Sequence, residues 1–421
     1  MIYVVSKDDN SLMPCENAVA RLLLKQGKAK VKRKTPFTIK LLYDTTGYVQ
    51  DCTLGVDTGS SHVGTSVINS KNEVLYMSDV EIRNDIADKM TQRAKHRRNR
   101  RNRKTRYRKA RWLNRKNSIK KDRFSPTMRS KLDSHMKEIE FITSILPIGR
   151  LVMETATFDP HLLKNPSLQN PIYKKWGYQQ GGNYGFENTK TKVLNRDNYI
   201  CQHCKGRRKD SKLEVHHIIY RSNGGSDEED NLVTLCHACH KGVHNGTVKL
   251  KLSGKRKGQL KHATQMNSIR IQLLKRYTDA VETFGYITKA NRILLGIDKD
   301  HYLDACIIAG GGCKFTIKQD ILYKKKCVSD GDFQQTKGVR SQQRIPTGKI
   351  YGFRKFDKVK YLGKEYFIKG RMSSGYTILM DIEGSKIDFS DMSKGWKTPK
   401  LSNCKRISAR KTWIVDECMV A

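Results

Sequence analysis

Apolar positions in the first fifty residues fall into short strand-like and helical groups. Ile2 to Val5 reads as a strand, and Ser11-Leu12-Met13-Pro14 leads into an amphipathic helix with Val19, Leu22 and Leu23 at helical spacing. Phe37 to Tyr43 reads as another strand. Three more follow, LGVD at 54–57, VGTSVIN at 63–69 and VLYMSDVEI at 74–82. The turn formers Gly-Ser-Ser and Ser-Lys-Asn between them predict two consecutive hairpins. After a charge-dense run at 93–121, the pattern predicts a helix over about 127–146 and a short strand, Leu151-Val152-Met153.

Further along, Ile269, Leu273, Leu274, Tyr277 and Val281 fit one helix. Tyr286 to Ala290 reads as a strand, and Tyr302, Ala305 and Cys306 share one face of a second helix. Gly310-Gly311-Gly312 is expected to end that helix, because glycine has no Cβ to oppose a left-handed cap. Beyond about residue 316, runs such as Lys364–Lys369 and Tyr376–Asp381 alternate with glycine turns and predict a small β domain. There is no internal repeat, and 421 residues are too many for one small core, so with strands and helices mixed along the chain the expected class is a multidomain α/β protein.

Charge narrows the partners. The 421 residues hold 82 Lys and Arg against 41 Asp and Glu, a formal net charge of +41. Neutralising phosphates releases condensed counterions, so such a chain is expected to bind polyanions with strong salt dependence. No apolar run approaches the roughly 18 residues that span a bilayer, and MIYVVSKDDN lacks a secretion-signal layout, so no membrane partner is expected. Apart from two Cys-x-x-Cys pairs, the seven remaining cysteines, at 15, 52, 306, 313, 327, 404 and 418, are irregularly spaced and do not read as a disulfide framework, so a reducing, cytoplasmic compartment is expected.

Candidate chemistry concentrates between Tyr199 and His244. The pairs Cys201/Cys204 and Cys236/Cys239 have the spacing of a tetrahedral four-sulfur Zn²⁺ site. A structural zinc ribbon accounts for these cysteines but not for His216, His217, Asn231 and His240 alongside them. That order resembles the HNH nuclease family, whose ββα motif holds one hydrolytic metal. Three acidic residues form a second constellation. Asp57 ends LGVD, Glu154 ends RLVME, and Asp304 shares a helical face with His301. Singly, such residues are more often turn formers or solvated. Together they can hold a pair of Mg²⁺ ions for phosphodiester hydrolysis. The segments GVDTGSSHVG, LVMETATF and HYLDACIIA resemble the RuvC branch of the RNase H-like fold. That fold opens with three antiparallel strands carrying the first Asp, closes its fourth strand with a Glu, and sets the last Asp on a late helix.

A RuvC-like core split by an arginine-rich helix and by an HNH insertion resembles the IscB family of transposon-encoded, RNA-guided nucleases, relatives of the type II CRISPR effectors. Ser11-Leu12-Met13-Pro14 departs from that family's Pro-Leu-Met-Pro signature at its first residue. The resemblance implies an N-terminal domain at 1–50, RuvC-like segments at 51–92, 124–187 and 248–315, and a bridge helix at 93–123. It also implies an HNH domain at 188–247 and a C-terminal domain at 316–421 that reads a short motif beside the target, with Gly352–Asp357 and Ser373–Tyr376 as its carriers. Arg93 to Lys121 contains no Asp, Glu, Gly or Pro and carries Trp112 and Leu113 as an apolar anchor, which predicts a helix along RNA phosphates in preference to a floppy polybasic loop. Its candidate contacts are Arg97, Arg98, Arg100, Arg101, Arg103, Arg106, Arg108 and Arg111.

By the same resemblance, His217 is the HNH general base and His216 and His240 ligate one Mg²⁺, while Asn231 ties the loop. Asp57, Glu154 and Asp304 hold Mg²⁺, or Mn²⁺, with His301 assisting. The implied partners are a long non-coding guide RNA, the omega RNA, and double-stranded DNA with a flanking motif, bound by a monomeric protein within a ribonucleoprotein. The HNH site would cut the guide-paired strand and the RuvC site the displaced strand. A protein-only HNH homing-type endonuclease and a non-catalytic RNA-binding scaffold are the alternatives.

Overall fold

The computed structural model describes residues 1–101, 124–159, 162, 169–170, 172, 184–207, 210–250, 252–254, 260–329, 348–392 and 397–420. The chain divides into two compact units, one of residues 1–156 with 268–421 and one of residues 157–267.

The first unit begins with β1 (Ile2–Val5), β2 (Ser11–Cys15), α1 (Asn17–Lys25), β3 (Ala29–Arg33) and β4 (Thr38–Leu41), in a sheet of order β2-β1-β4-β3. Val4, Ala20, Ala29, Ile39 and Leu41 form its core. The expected lead-in at 11–14 is itself strand β2. Its Pro14 is tolerated there because β2 lies at the sheet edge, where a missing N–H breaks no ladder.

The larger sheet starts with β5 (Cys52–Thr58), β6 (His62–Ile68) and β7 (Glu73–Glu81), joined as two antiparallel hairpins. Helices α2 (Ile86–Arg101) and α3 (Pro126–Thr143) follow, then β8 (Ile148–Thr155), which pairs parallel to β5. Ser125 caps α3, its hydroxyl accepting from the Met128 N–H, and Pro126 fits the first turn, where its missing N–H has no helical partner to lose.

In the second unit, α4 (Thr189–Arg196) precedes a two-stranded hairpin of β9 (Leu213–His217) and β10 (Leu232–Cys236), followed by α5 (His237–His244). Its core is built from Cys201, Val233, Leu235, Cys236 and Cys239. Arg196 on α4 donates to the carbonyls of Glu229 (2.7 Å) and Leu232 (2.9 Å), fixing the entry to β10.

Helix α6 (Leu260–Arg276) leads to β11 (Val281–Phe284), α7 (Gly285–Leu295) and α8 (His301–Ala309). The helix expected to reach Val281 stops at Arg276, and the strand expected at 286–290 is part of α7. Val281 stands four residues after Tyr277 and so matches helical spacing, but its backbone pairs with β8 as an edge strand. The left-handed residues after α8 are Gly311 and Gly312, because Gly310 remains right-handed.

The C-terminal segment expected as one domain at 316–421 is divided between two sheets. β12 (Thr316–Ile317) and β13 (Ile321–Cys327) pair with β7, and the last strand, β18 (Trp413–Met419), pairs with β13. Between them β14 (Lys358–Tyr361), β15 (Lys364–Arg371), β16 (Thr377–Met380) and β17 (Lys405–Ser408) form a separate sheet over Val359, Tyr361, Ile368 and Leu379. The large sheet thus runs β11-β8-β5-β6-β7-β13-β18.

A buried ion pair locks α3 onto this sheet. Lys325 Nζ donates to both Glu138 oxygens (2.7 and 2.8 Å) and to the Tyr76 hydroxyl (2.6 Å), while Ser78 donates to Glu138 (2.7 Å). Both charged side chains are fully buried, so removing either one would leave the other uncompensated.

Candidate active sites

The histidine site is built by one hairpin and its helix. β9 presents His216, and α5 presents His240 and His244 at i and i+4, which places them on one helical face. The His216 ring meets each of the other two edge-on at 5.1 Å between centroids. One ring nitrogen from each of the three lies within 4.8 Å of the others. His244 is a ligand candidate that sequence reasoning missed, although the His-x-x-x-His spacing of α5 signals it.

Glu214, two positions before His216 on β9, accepts from His240 Nδ1 at 2.7 Å. Donation from Nδ1 leaves Nε2 of His240 with its lone pair for the cluster. Burial, then the neighbouring imidazoles, depresses the His216 pKa to about 4, and burial lowers that of His240. Both rings are therefore neutral near pH 7, the form that ligates a metal. The donor set fits one divalent ion.

His217 faces the same cavity of about 290 Å³ as these three rings. Its Nε2 lies 2.9 Å from Asp227 Oδ1, and Arg221 Nε donates to that same oxygen at 2.6 Å. With Nε2–H given to Asp227, Nδ1 is the acceptor available to a water molecule. Asp227 was missed because an acidic residue in a turn has no distinctive spacing. Asn231 is buried, and its amide ties the loop: it accepts from the Ile219 N–H (2.9 Å) and donates to the carbonyls of Ile219 (2.9 Å) and Ser226 (2.8 Å).

Cys201, Cys204, Cys236 and Cys239 bring their sulfurs within 4.8 Å of one another, with Cys204 and Cys236 3.8 Å apart. Tetrahedral Zn–S bonds of about 2.3 Å separate sulfurs by roughly 3.8 Å. Burial raises the Cys236 and Cys239 pKa values, so the cluster calls for a cation to hold thiolates. The group fits structural zinc, closed by four ligands.

The carboxylate site is assembled across the large sheet. Asp57 on β5 stands in register with Glu154 on β8, and Asp304 projects from α8. α8 can lie this close only because β5 and β6 carry glycines beneath it. A Cβ on Gly64 would fall 2.0 Å from the His301 carbonyl oxygen, and one on Gly55 2.3 Å from that of Ala305.

Burial foremost, with Asp57 and Asp304 adding repulsion, raises the Glu154 pKa to about 7. Burial also raises that of Asp304, which Arg292 at 3.7 Å offsets in part. Among the described residues, Glu154 Oε2 and Asp304 Oδ1 are buried without a hydrogen-bond partner, which fits oxygens that could hold a cation.

His301 Nδ1 lies 2.6 Å from Asp57 Oδ2, and that bond chiefly raises its pKa. Its ring stacks on His62 at 5.3 Å between centroids, and His62 Nδ1 is 3.1 Å from Asp79. His62 and Asp79 lie on β6 and β7, and sequence reasoning missed both.

Of the arginine run, Arg97 and Arg98 lie on α2 with Arg98 exposed, and Arg100 and Arg101 form its last turn. Arg103, Arg106, Arg108 and Arg111 lie outside the described residues.

Residues 2–181 match the RRXRR protein family and residues 201–246 match the HNH endonuclease family. Anaredoxin of Nostoc sp. (strain PCC 7120) is 35% identical over 69 residues, which are 16% of this chain and 88% of that protein. The type IV methyl-directed restriction enzyme EcoKMcrA of Escherichia coli K12 is 38% identical over 88 residues, 20% of this chain and 26% of the enzyme. Among solved structures, Streptococcus thermophilus Cas9 in complex with the GGAA PAM shares 12% identity at a TM-score of 0.35, covering 61% of this chain and 32% of Cas9. The same protein with the AGGA PAM gives 14% and 0.34, covering 58% and 32%. A likeness that distant carries no argument about either site.

Proposed function

We propose that this chain, which belongs to the IscB-like RuvC/HNH nucleases, is an RNA-guided DNA endonuclease with two separate cutting sites. The observation that carries this reading is the coexistence, in one strongly basic chain, of an HNH imidazole site and a chemically distinct carboxylate site. The RRXRR match over residues that include the arginine run supports the RNA partner.

In the HNH unit, His217 held by Asp227 removes a proton from water as its oxygen attacks phosphorus. The bond from phosphorus to the 3′ oxygen breaks, leaving a 5′ phosphate and a 3′ alkoxide that solvent protonates. A divalent ion held by His216, His240 and His244 would supply positive charge beside the phosphate and the leaving oxygen. Asn231 holds the loop between His217 and β10 in shape.

In the other unit, Asp57, Glu154 and Asp304 would hold Mg²⁺ or Mn²⁺. His301, oriented by Asp57, presents its second nitrogen for the proton of the attacking water. We assign the guide-paired strand to the HNH site and the displaced strand to the carboxylate site. The RNA supplies sequence by base pairing, and the C-terminal segment with Gly352–Asp357 and Ser373–Tyr376, around the sheet of β14 to β17, reads a short flanking motif.

A protein-only HNH nuclease is the second reading, favoured by the compactness of residues 157–267. Both readings meet the same test. The protein is expressed with its neighbouring non-coding DNA, and co-purifying RNA is sequenced and programmed against a matched duplex. Guided action gives one abundant RNA species and cleavage only of matched DNA. Cleavage that survives complete RNase treatment before target addition would replace it with the protein-only reading.

A further inference from the structure

A basic cleft of about 580 Å³ lies in the first unit, outside both catalytic constellations. Its walls come from the end of β3 and the β3–β4 connection, from α3, from β14 and β15, and from the segment that leads into β18. Arg33, Lys34, Lys137, Arg410 and Lys411 line it, and Glu140 is the acidic residue among its lining. The volume is in the range that accepts a ligand the size of a nucleotide.

Two of these cations are held in place by aromatic rings. The Arg33 guanidinium lies 4.4 Å over Phe141, and Lys137 Nζ lies 4.1 Å over Trp413. The two rings meet edge-on at 5.3 Å, so the cations rest on one rigid aromatic floor. Arg33 Nη1 is buried and has no hydrogen-bond partner among the described residues. Burial, with Arg33 adding repulsion, lowers the Lys411 pKa, and burial lowers that of Arg33. Among the described residues, Arg33 Nη1 meets no acceptor, so this cationic cleft offers a donor to an incoming anion. A planar guanidinium with parallel N–H groups matches a phosphate better than a point charge does.

We infer that this cleft binds backbone phosphate of a nucleic-acid strand, with Arg33 and Lys411 as the principal donors. It is a second strand-holding site, separate from the arginine run, and it rests on the proposed function only for the class of partner. The phosphodiester could belong to the guide RNA or to target DNA.

The test uses the full-length protein without guide and a 20-nucleotide single strand, as RNA carrying 5-iodouridine or as DNA carrying 5-iododeoxyuridine. After irradiation, crosslinked peptides are mapped. Crosslinks in the peptides holding Phe141 or Trp413 are expected from at least one strand. RNA alone would assign the guide, and DNA alone the target.

Arg33→Gln with Lys411→Gln should lower that crosslink about tenfold, leave those elsewhere unchanged, and flatten the salt slope of binding by up to about 1.4. If this double variant melts lower than wild type, Arg33→Lys decides, since it keeps the charge and should retain most of the crosslink. No crosslink in these peptides from either strand overturns the inference. So does an unaltered crosslink in the double variant, or equal competition by polyglutamate at matched charge. No readout depends on cleavage, so failure here and failure of the guided-nuclease reading are distinguishable.

Discussion

The two candidate catalytic sites are assembled on opposite principles. In the HNH unit, the three clustered imidazoles come from one hairpin and the helix after it, and the four cysteines staple the turn that holds Cys201 and Cys204 to the end of β10 and to α5. In the large sheet, His301 touches Asp57 across 244 residues of sequence, and Glu154 arrives on a third segment. The first site is held by local geometry and metal. The second is held by sheet register and by how closely α8 packs. Chemistry on a local scaffold should fail when its staple is removed, and chemistry on a distributed scaffold should fail when packing changes far from any ligand.

The largest expected effect is on the staple. Cys236→Ser removes one of four zinc ligands from a core that consists largely of cysteine and four-carbon or smaller aliphatic side chains. Structural zinc contributes about 10–16 kcal/mol of binding energy in small zinc peptides, so the HNH unit should lose its fold. The guide-paired strand should go uncut while the displaced strand is still cut. Freshly purified wild-type protein without stoichiometric zinc by elemental analysis would break this side of the comparison.

Next come the chemical residues. His217→Ala should slow the guide-paired cut by about 10²–10⁴-fold, the usual contribution of a general base, and leave the other cut intact. Asp57→Ala should do the reverse, and the double variant should bind target without cutting. Strand-resolved cleavage assays read all three. Loss of both cuts in either single variant, with binding retained, would show one coupled site.

A third test perturbs packing alone. Gly64→Ala touches no proposed ligand, yet its Cβ would lie 2.0 Å from the His301 carbonyl oxygen. α8 must then shift and carry Asp304 and His301 away from Asp57. Overpacking of this kind typically costs about 1–3 kcal/mol. The displaced-strand cut should fall strongly and the guide-paired cut should not. Equal loss of both would indicate global unfolding, which a melting curve would reveal.

The same contrast explains what the sequence disclosed. The four-sulfur site and His216, His217 and His240 were legible because spacing along one chain segment is itself the geometry. His244 had a signal in the spacing of α5, but Asp227 had none. At the distributed site Asp57, Glu154 and Asp304 stood out by ending strands or lying on a helical face. The His62–Asp79 pair did not, since only the β6–β7 register and the approach of α8 bring it to His301. The same blindness to tertiary pairing misplaced β11. The pattern around Tyr277 and Val281 fits a helix, and Ile287 and Thr288 are β-branched, but pairing with β8 puts the strand earlier. The C-terminal segment has the sequence pattern of one domain because nothing local in β13 or β18 announces that both join a sheet begun near residue 52.

The smallest expected effect reads the electrostatics of the distributed site without any cleavage. Burial and the neighbouring carboxylates raise Glu154 from 4.5 to about 7 in the folded chain. Between these values the folded state holds a proton that the unfolded state has released. This contribution to stability is therefore complete below pH 4.5 and is lost as pH rises through about 7. A divalent cation binds the ionised form, so it should oppose the loss. Mg²⁺ should accordingly raise the melting temperature of the full-length protein more at pH 8 than at pH 5.5. Glu154→Gln, which cannot ionise, should flatten that difference. A Mg²⁺ shift that is the same at both pH values in the wild type would mean that Glu154 does not face the ions, and the carboxylate half of the comparison would have to be rebuilt on Asp57 and Asp304 alone.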